Sequence, residues 1–320
     1  MRAVRIEQFG GPEALTVRDV DTPVPGPGEV VVDVAACGVN FIDVYHRIGR
    51  YPNETPFTPG SEGAGTVTAV GEGVTDLRVG DRVAWAGPVG SYAEQALLPA
   101  AEVVPVPDGL DLEVAAAALL QGMTAQYLVR STYRVENGDA ALVHAAAGGV
   151  GLLLTQLVSF LGGRLLATVS TPTKAKLARD AGAEVVVGYD ALPDAARQFT
   201  GGRGVDVAYD GVGAATYAAT LASLRRRGMF VSYGSASGPV PPVDPLQLAA
   251  AGSVFFTRPR LADHIAERAE LLERAREVLG WVADGTLQVR ISARYPLDNA
   301  GAAHEALEGR RTTGKVLLVP

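Results

Sequence analysis

Up to residue 121, apolar positions fall in short β-branched runs such as Val30–Ala36, Gly65–Val70 and Asp81–Trp85. Proline and glycine turns, Pro25–Gly28 and Gly71–Gly73 among them, separate the runs. Short strands with regular turn punctuation predict an antiparallel, barrel-like domain. From residue 122 the pattern changes. Ala140–Ala145 is apolar without alternation, the glycines of Gly148–Gly151 follow, and a helical stretch over 152–161 ends at Gly162 and Gly163. Arg164–Val169, Glu184–Val187, Val205–Tyr209, Gly228–Tyr233 and Gly252–Phe256 read as further strands, with a basic helix carrying Lys174, Lys176 and Arg179 after the second strand of this region. Continuous apolar strands alternating with helices predict a parallel sheet covered on both faces, and right-handed crossovers make it doubly wound.

After residue 259 comes a charged helix over 262–283 with Leu271, Leu272, Val278 and Leu279 on one stripe, and the chain finishes in an apolar strand over 314–320. That tail is too short to stand alone, so it is expected to return to the first domain. The predicted organisation is an α/β protein with a discontinuous, mostly β domain (1–121 and 260–320) and a dinucleotide-binding domain (122–259).

The turn between the first parallel strand and its helix carries the chemistry. Ala146–Gly151 reads AxGxxG, with Ala146 in place of the usual first glycine. Gly148 removes a Cβ that would hold a phosphate off the backbone, and Gly151 lets the helix pack tightly on the strand. The helix N-terminus then offers the N–H groups of Gly148, Gly149 and Val150 and a positive dipole end to a pyrophosphate. The following strand ends in Ser170 and Thr171 with no acidic residue, and Lys174 comes three residues later. An NAD site usually places a carboxylate there for the ribose 2′-hydroxyl, whereas a 2′-phosphate needs hydroxyls and cations. The cofactor is therefore expected to be NADPH, with Tyr189 covering the adenine; the competing reading makes Lys174 and Lys176 a solvated helix face.

Composition narrows the class. The 320 residues are 48% hydrophobic and 20% charged, as in ordinary folded domains. One cysteine, Cys37, excludes a disulfide framework. A net charge of −7 speaks against a nucleic-acid partner. No continuous apolar run approaches the ~20 residues that span a bilayer, and the N-terminus alternates apolar and polar residues like a strand. The expected location is the cytoplasm. The 38 glycines suit many tight turns and close approach of backbone to a ligand.

With Gly60–Gly65, Val79–Val83 and the glycine turn in this order, the chain resembles the medium-chain dehydrogenase/reductase superfamily over nearly its whole length. Asn40–Tyr51, His144–Gly151 and Thr257–Pro259 make it similar to the zinc-free quinone oxidoreductase, or ζ-crystallin-like, branch. The resemblance implies a GroES-like catalytic domain beside the dinucleotide-binding one. It places Asn40 where the zinc members carry a cysteine ligand and Ser61 where they carry a histidine, while Cys37 falls three residues early. His46, His144, His264 and His304 lie scattered. No metal is expected, and hydride delivery to a quinone or another electron-poor acceptor replaces alcohol oxidation. Asn40 is implied at the nicotinamide ribose, with Tyr45 and Tyr51 bordering the acceptor as stacking rings and hydrogen-bond donors; hairpin packing is the alternative for both tyrosines. Asp43 and Arg47 form a candidate ion pair within one loop. Thr124, at the start of the helix entering the second domain, is implied on the nicotinamide side. Gly213 and Gly234 lie at later strand ends, Tyr233, Phe256 and Arg258 complete the wall, and Lys315 either reaches a phosphate or is a surface charge. An exposed final parallel strand, joined to its twin in this branch, implies a homodimer. Competing functions are an NADPH-dependent enal or enone reductase and a non-catalytic NADPH-binding structural or RNA-binding protein.

Overall fold

A computed structural model describes residues 1–51 and 53–320. The chain divides into two compact units, one comprising Met1–Met123 with Ile265–Pro320 and the other Thr124–His264.

The first unit opens with the antiparallel pair β1 (Arg2–Arg5) and β2 (Thr16–Asp19). Strand β3 (Glu29–Val39) is 11 residues long and mostly buried, as its valine-rich sequence requires. Helix α1 (Phe41–Arg47) follows directly, then β4 (Glu62–Val70), β5 (Arg82–Ala86), β6 (Gln95–Pro99) and β7 (Val103–Pro105). Helix α2 (Leu112–Tyr127) starts where the Asp111 carboxylate accepts from Glu113 N–H at 2.8 Å and Val114 N–H at 3.2 Å. Thr124 therefore sits deep in this helix rather than at its start. The helix and the wider turn that extends it run over Leu112–Thr132, long and apolar enough to cross a membrane. In this fold 72% of that apolar window is buried inside the protein, as in a core helix.

The second unit supplies β8 (Ala140–Val143), α3 (Gly149–Phe160), β9 (Arg164–Thr168), α4 (Pro172–Asp180), β10 (Val185–Val187), α5 (Asp194–Phe199), β11 (Val205–Asp210), α6 (Tyr217–Ser223), β12 (Leu224–Ser232), α7 (Pro245–Ala250), β13 (Phe255–Thr257) and α8 (Leu261–His264). Its six strands are all parallel, in the order β10-β9-β8-β11-β12-β13. Two parallel halves thus diverge from β8 and β11, the doubly wound arrangement expected from the apolar runs. At the amino ends of these strands Asp206 accepts from Ala140 N–H at 2.8 Å and pairs with Arg203 and Arg225. β13 begins later than the sequence pattern predicts because Gly252 and Ser253 turn through φ +104 and +58.

The predicted single charged helix is two. The chain leaves the second unit at the end of α8 and re-enters the first before α9 (Arg268–Ala283), so the stripe of one helix cannot continue through the crossing. Then β14 (Ile291–Pro296), α10 (Ala300–Glu308) and β15 (Lys315–Val319) complete the first unit. Its sheet runs β14-β15-β3-β4-β5-β7, with β6 also paired to β3. Valines of β3, β4 and β5 pack with Trp85, Leu98, Leu297, Ala303, Val316 and Leu318 into its core.

Candidate active site

In a doubly wound sheet the strand order reverses between two neighbouring strands, and the crevice beyond their carboxyl ends takes the ligand. Here those strands are β8 and β11. Past β8 the chain turns sharply, with Ala145 at φ +49. Gly148 then precedes α3 with no side-chain cap, and its own N–H is spent on Ala145 O at 2.8 Å, which corrects its assignment to the pyrophosphate; the N–H groups of the first turn after it are left for an outside acceptor. Gly149 and Val150 are half-buried in that first turn. Glycine is required at 151, where a Cβ would press on backbone, 2.9 Å from Ala146 Cα and closer still to Ala145 O.

Past β11 the organiser is Asp210, which the sequence reading missed. Its buried carboxylate accepts from Val212 N–H at 2.7 Å, Gly213 N–H at 3.0 Å and Thr216 Oγ1 at 2.7 Å. Its carbonyl accepts from the N–H groups of Tyr233 and Gly234 at 2.9 and 3.3 Å. One residue thus gathers Gly213, Tyr233 and Gly234. Gly213 has φ +93, and a Cβ on Gly234 would lie 2.8 Å from Gly211 Cα, so both loops close backbone to backbone. The signal available was an acid at a strand end ahead of two glycines.

Between the two strand ends lies His144, fully buried. Thr220 Oγ1 donates to Thr216 O at 2.7 Å, so it accepts from His144 Nε2 at 2.8 Å, and Nδ1 accepts from Thr168 Oγ1 at 2.8 Å. The imidazole is neutral, in keeping with burial that lowers its pKa. Tyr189 stacks beside it, ring centroids 5.9 Å apart and planes within 8°. After β9, Ser170 is exposed and Lys174 half-buried, and the Thr171 hydroxyl caps α4 by accepting from Lys174 N–H at 3.3 Å. Lys176 pairs with Asp180 at 2.6 Å on the exposed face of α4.

The expected wall residues Phe256 and Arg258 differ in where they sit. Phe256 packs against Phe230 and Tyr217, with centroids 5.1 and 6.4 Å apart, so its ring is part of the sheet's apolar layer. Arg258 donates to Ser232 O at 2.8 Å, across the end of β12. Thr124 is buried within α2.

In the first unit α1 carries Tyr45, and Tyr51 lies four residues past its end. Tyr45 is buried and Tyr51 is 38% exposed; their rings meet edge to face at 5.5 Å, with the Arg50 guanidinium 4.8 Å from the Tyr45 ring centre. Asn40, ahead of α1, is not open to a ligand. Its Oδ1 accepts from Lys315 Nζ at 2.8 Å and Gln121 Nε2 at 3.2 Å, and its Nδ2 donates to Glu62 Oε2 at 2.9 Å and Gly38 O at 3.3 Å. Both donors and both acceptor positions of the amide are filled, which corrects its assignment to the nicotinamide ribose. Lys315 is also corrected. It is buried and bonded to the fully buried Glu62, so it is neither a surface charge nor open to a phosphate.

Asp43 and Arg47 do not pair with each other. Asp43 accepts from Asn40 N–H at 2.8 Å, Ser61 Oγ at 2.9 Å and Tyr92 Oη at 3.1 Å, and burial pushes its pKa up to about 6 against these bonds. Arg47 forks onto Glu308 at 2.9 and 3.0 Å and donates to His304 Nδ1 at 3.2 Å. Burial, then Arg47, lowers His304 to about 3. Cys37 is buried, and its thiol contacts Ser91 O at 2.6 Å.

The chain as a whole is similar to several known proteins. The alcohol dehydrogenase GroES-like domain family matches residues 26–108, and a family described as zinc-binding dehydrogenase matches 181–318. A quinone oxidoreductase of Pseudomonas aeruginosa is 44% identical over 323 residues, covering 100% of this chain and 99% of that one. A 2-haloacrylate reductase of a Burkholderia species is 40% identical over 328 residues, covering 99% and 98%. Among solved structures, Escherichia coli quinone oxidoreductase complexed with NADPH superposes with a TM-score of 0.97 at 39% identity, covering 100% of both chains. A mycobacterial protein complexed with NADPH gives a TM-score of 0.97 at 49% identity, again over 100% of both. The residues here do not fit the zinc that the second family's description names. Ser61 and Asn40 are hydrogen-bonded inward, Glu62 is bound to Lys315, and among the described residues no group of three or more His, Cys, Asp or Glu could hold a metal ion.

Proposed function

The chain belongs to the zinc-independent quinone oxidoreductases of the medium-chain dehydrogenase/reductase superfamily, and from that premise we propose how its residues serve an NADPH-dependent reduction. It is an NADPH-dependent oxidoreductase acting on quinone-type acceptors. The observation that carries the cofactor reading is the uncapped N-terminus of α3 at the β8/β11 reversal, followed by a β9 end with Ser170 and Lys174 and no carboxylate. The backbone N–H groups of Gly149 and Val150, in the first turn of α3, hold the pyrophosphate. Ser170 and Lys174 hold the 2′-phosphate, Tyr189 covers the adenine, and the loops of Gly213, Tyr233 and Gly234 line the nicotinamide half. The reduced nicotinamide supplies the hydride.

On the first unit, Tyr45 and Tyr51 give the acceptor an aromatic edge, and the exposed Tyr51 phenol donates to oxygen that gains negative charge. Asn40 acts one step back, as the buried group that ties Lys315, Glu62 and Gln121 together behind α1. No cation of a bound metal is needed for an electron-poor ring to accept reducing equivalents. The test is NADPH oxidation across quinones, enals, enones and haloacrylates, before and after exhaustive chelation. Quinone turnover that survives chelation is expected; turnover lost with released zinc refutes the reading. A second reading, reduction of an activated carbon–carbon double bond, is favoured by the likeness to the 2-haloacrylate reductase, and turnover of enones above quinones decides for it.

We also propose a cytoplasmic homodimer with no nucleic-acid partner. β13 is an edge of the six-stranded sheet and carries Phe255 59% exposed, a strand edge and apolar ring that a twin strand would cover. Phe255→Arg is expected to halve the mass seen by light scattering; an unchanged mass refutes this edge as the interface.

A further inference from the structure

Helix α1 has only 7 residues, too few to hold its shape unaided. Its two faces are unlike. Phe41 and Tyr45, four apart, share one face, with ring centroids 6.3 Å apart. Asp43 and Arg47, also four apart, share the other and are both almost fully buried. On that second face a continuous line of polar groups runs from Arg47 through His304 and Tyr92 to Asp43.

The protons in this line have one consistent arrangement. A guanidinium only donates, so His304 Nδ1, 3.2 Å from Arg47, is the bare nitrogen. The neutral ring then carries its proton on Nε2 and donates to Tyr92 Oη at 3.1 Å. The tyrosine's single hydrogen is left for Asp43 Oδ2, also at 3.1 Å. Asp43, an acceptor only when ionised, takes it together with the Asn40 N–H and the Ser61 hydroxyl. Glu308 neutralises Arg47 at the far end. Every bond points the same way, so no group can turn without breaking the bonds on both of its sides.

We infer that Tyr92 and His304 are positioning residues: with Arg47 and Asp43 they form a directed hydrogen-bond chain that clamps one face of α1, and so fix the opposite face that presents Tyr45 to the acceptor. The inference rests on the acceptor placement proposed above. Neither residue touches the reacting atoms, since Tyr92 and His304 are wholly buried. His304 comes from α10 and Tyr92 from the loop before β6, so the clamp joins a helix from the end of the chain to elements from its beginning.

The test is Tyr92→Phe, which keeps the ring and its edge contact with His304 and removes only the hydroxyl. Amide exchange of α1 in the full-length protein is expected to quicken about tenfold, with exchange in the second unit unchanged. The acceptor KM is expected to rise about tenfold with kcat held within about twofold and the NADPH KM unmoved, since the loss is one of placement. His304→Gln, whose amide has an acceptor for Arg47 and a donor for Tyr92, should stay nearer wild type than His304→Leu in both readouts. If Tyr92→Phe does not fold, this pair decides alone, and equal behaviour of Gln and Leu overturns the inference. Unchanged α1 exchange in Tyr92→Phe overturns it by refuting the clamp. Quicker exchange with an unmoved acceptor KM overturns it differently, by showing that the clamped helix does not carry the acceptor.

Discussion

Gly151→Ala puts a single methyl against backbone that cannot turn aside. The new Cβ would lie 2.9 Å from Ala146 Cα and 3.0 Å from Ala145 C, inside ordinary contact distance, with Ala145 O nearer still. Ala145 already holds φ +49 to make the turn, so relief must come from lifting the first turn of α3. Overpacking of this kind costs about 1–3 kcal/mol. Alanine recovers part of the roughly 1 kcal/mol by which it exceeds glycine in a helix, and only part, because residue 151 lies in the first turn. The net loss is about 1–2 kcal/mol, which lowers a melting midpoint by roughly 2–4 °C per kcal/mol in a domain of this size. Lifting the turn also moves the N–H groups proposed to hold the pyrophosphate, so NADPH affinity should fall about tenfold, equivalent to 1.4 kcal/mol. Thermal melts and NADPH titration measure the two effects. Gly148→Ala is the control for stability, because its Cβ has one neighbour, Ala145 O, at 3.1 Å, and its midpoint should move less. A Gly151→Ala protein with the wild-type midpoint and wild-type NADPH affinity would refute both the packing argument and the phosphate placement.

Lys174→Ala should reduce the preference for NADPH over NADH by roughly tenfold or more, the loss of one charge-assisted bond of about 1.5–3 kcal/mol, and calorimetric titration with both cofactors reads it directly. Two buried groups in the first unit oppose each other in acid. His304, lowered to about 3, resists a proton that the unfolded chain takes up near 6.5, so its contribution to stability is lost as pH falls from 6.5 towards 3. Asp43, raised to about 6, takes its proton before the unfolded chain does, so its contribution is present in acid and lost as pH rises through 6. Asp43→Asn should therefore lose more stability than wild type between pH 7 and pH 4 in urea titrations, and His304→Gln should lose less; a shared slope in all three proteins would contradict the assignment.

The parallel sheet was legible because its strands are apolar on both faces, and the glycine turn because its position between strand and helix gives the spacing a physical meaning. α2 was harder. Ala115–Leu119 are all fully buried, so the helix shows no polar face to betray its period, and Thr124 was placed at its start instead of its fourth turn. Asn40, Asp43 and Lys315 were singled out for the right region but with the wrong partners. Lys315 meets Glu62 from 253 residues away, and Arg47 meets His304 from 257. No local pattern encodes pairings at that distance; they exist only once β15 and α10 have packed on the sheet. Phe256 differs: an aromatic residue in the last parallel strand suits a ligand wall and a sheet layer equally, and its contacts with Phe230 and Tyr217 become visible only in the folded sheet.

Strand β15 lies between β14 and β3, where Val316, Leu317 and Leu318 face Val39, Gly38 and Cys37. During synthesis the amino-terminal strands therefore leave the ribosome with an open seam along the outer edge of β3, over Cys37–Val39. At about 5–20 residues per second, the stretch from Met123 to Lys315 takes roughly 10–40 s to make. The second unit has all of its strands well before then, while the backbone of β3 around Gly38 still waits for its neighbour. Nascent chains stalled ahead of Lys315 should expose that seam to chaperones and proteases, and release of the last strand should close it.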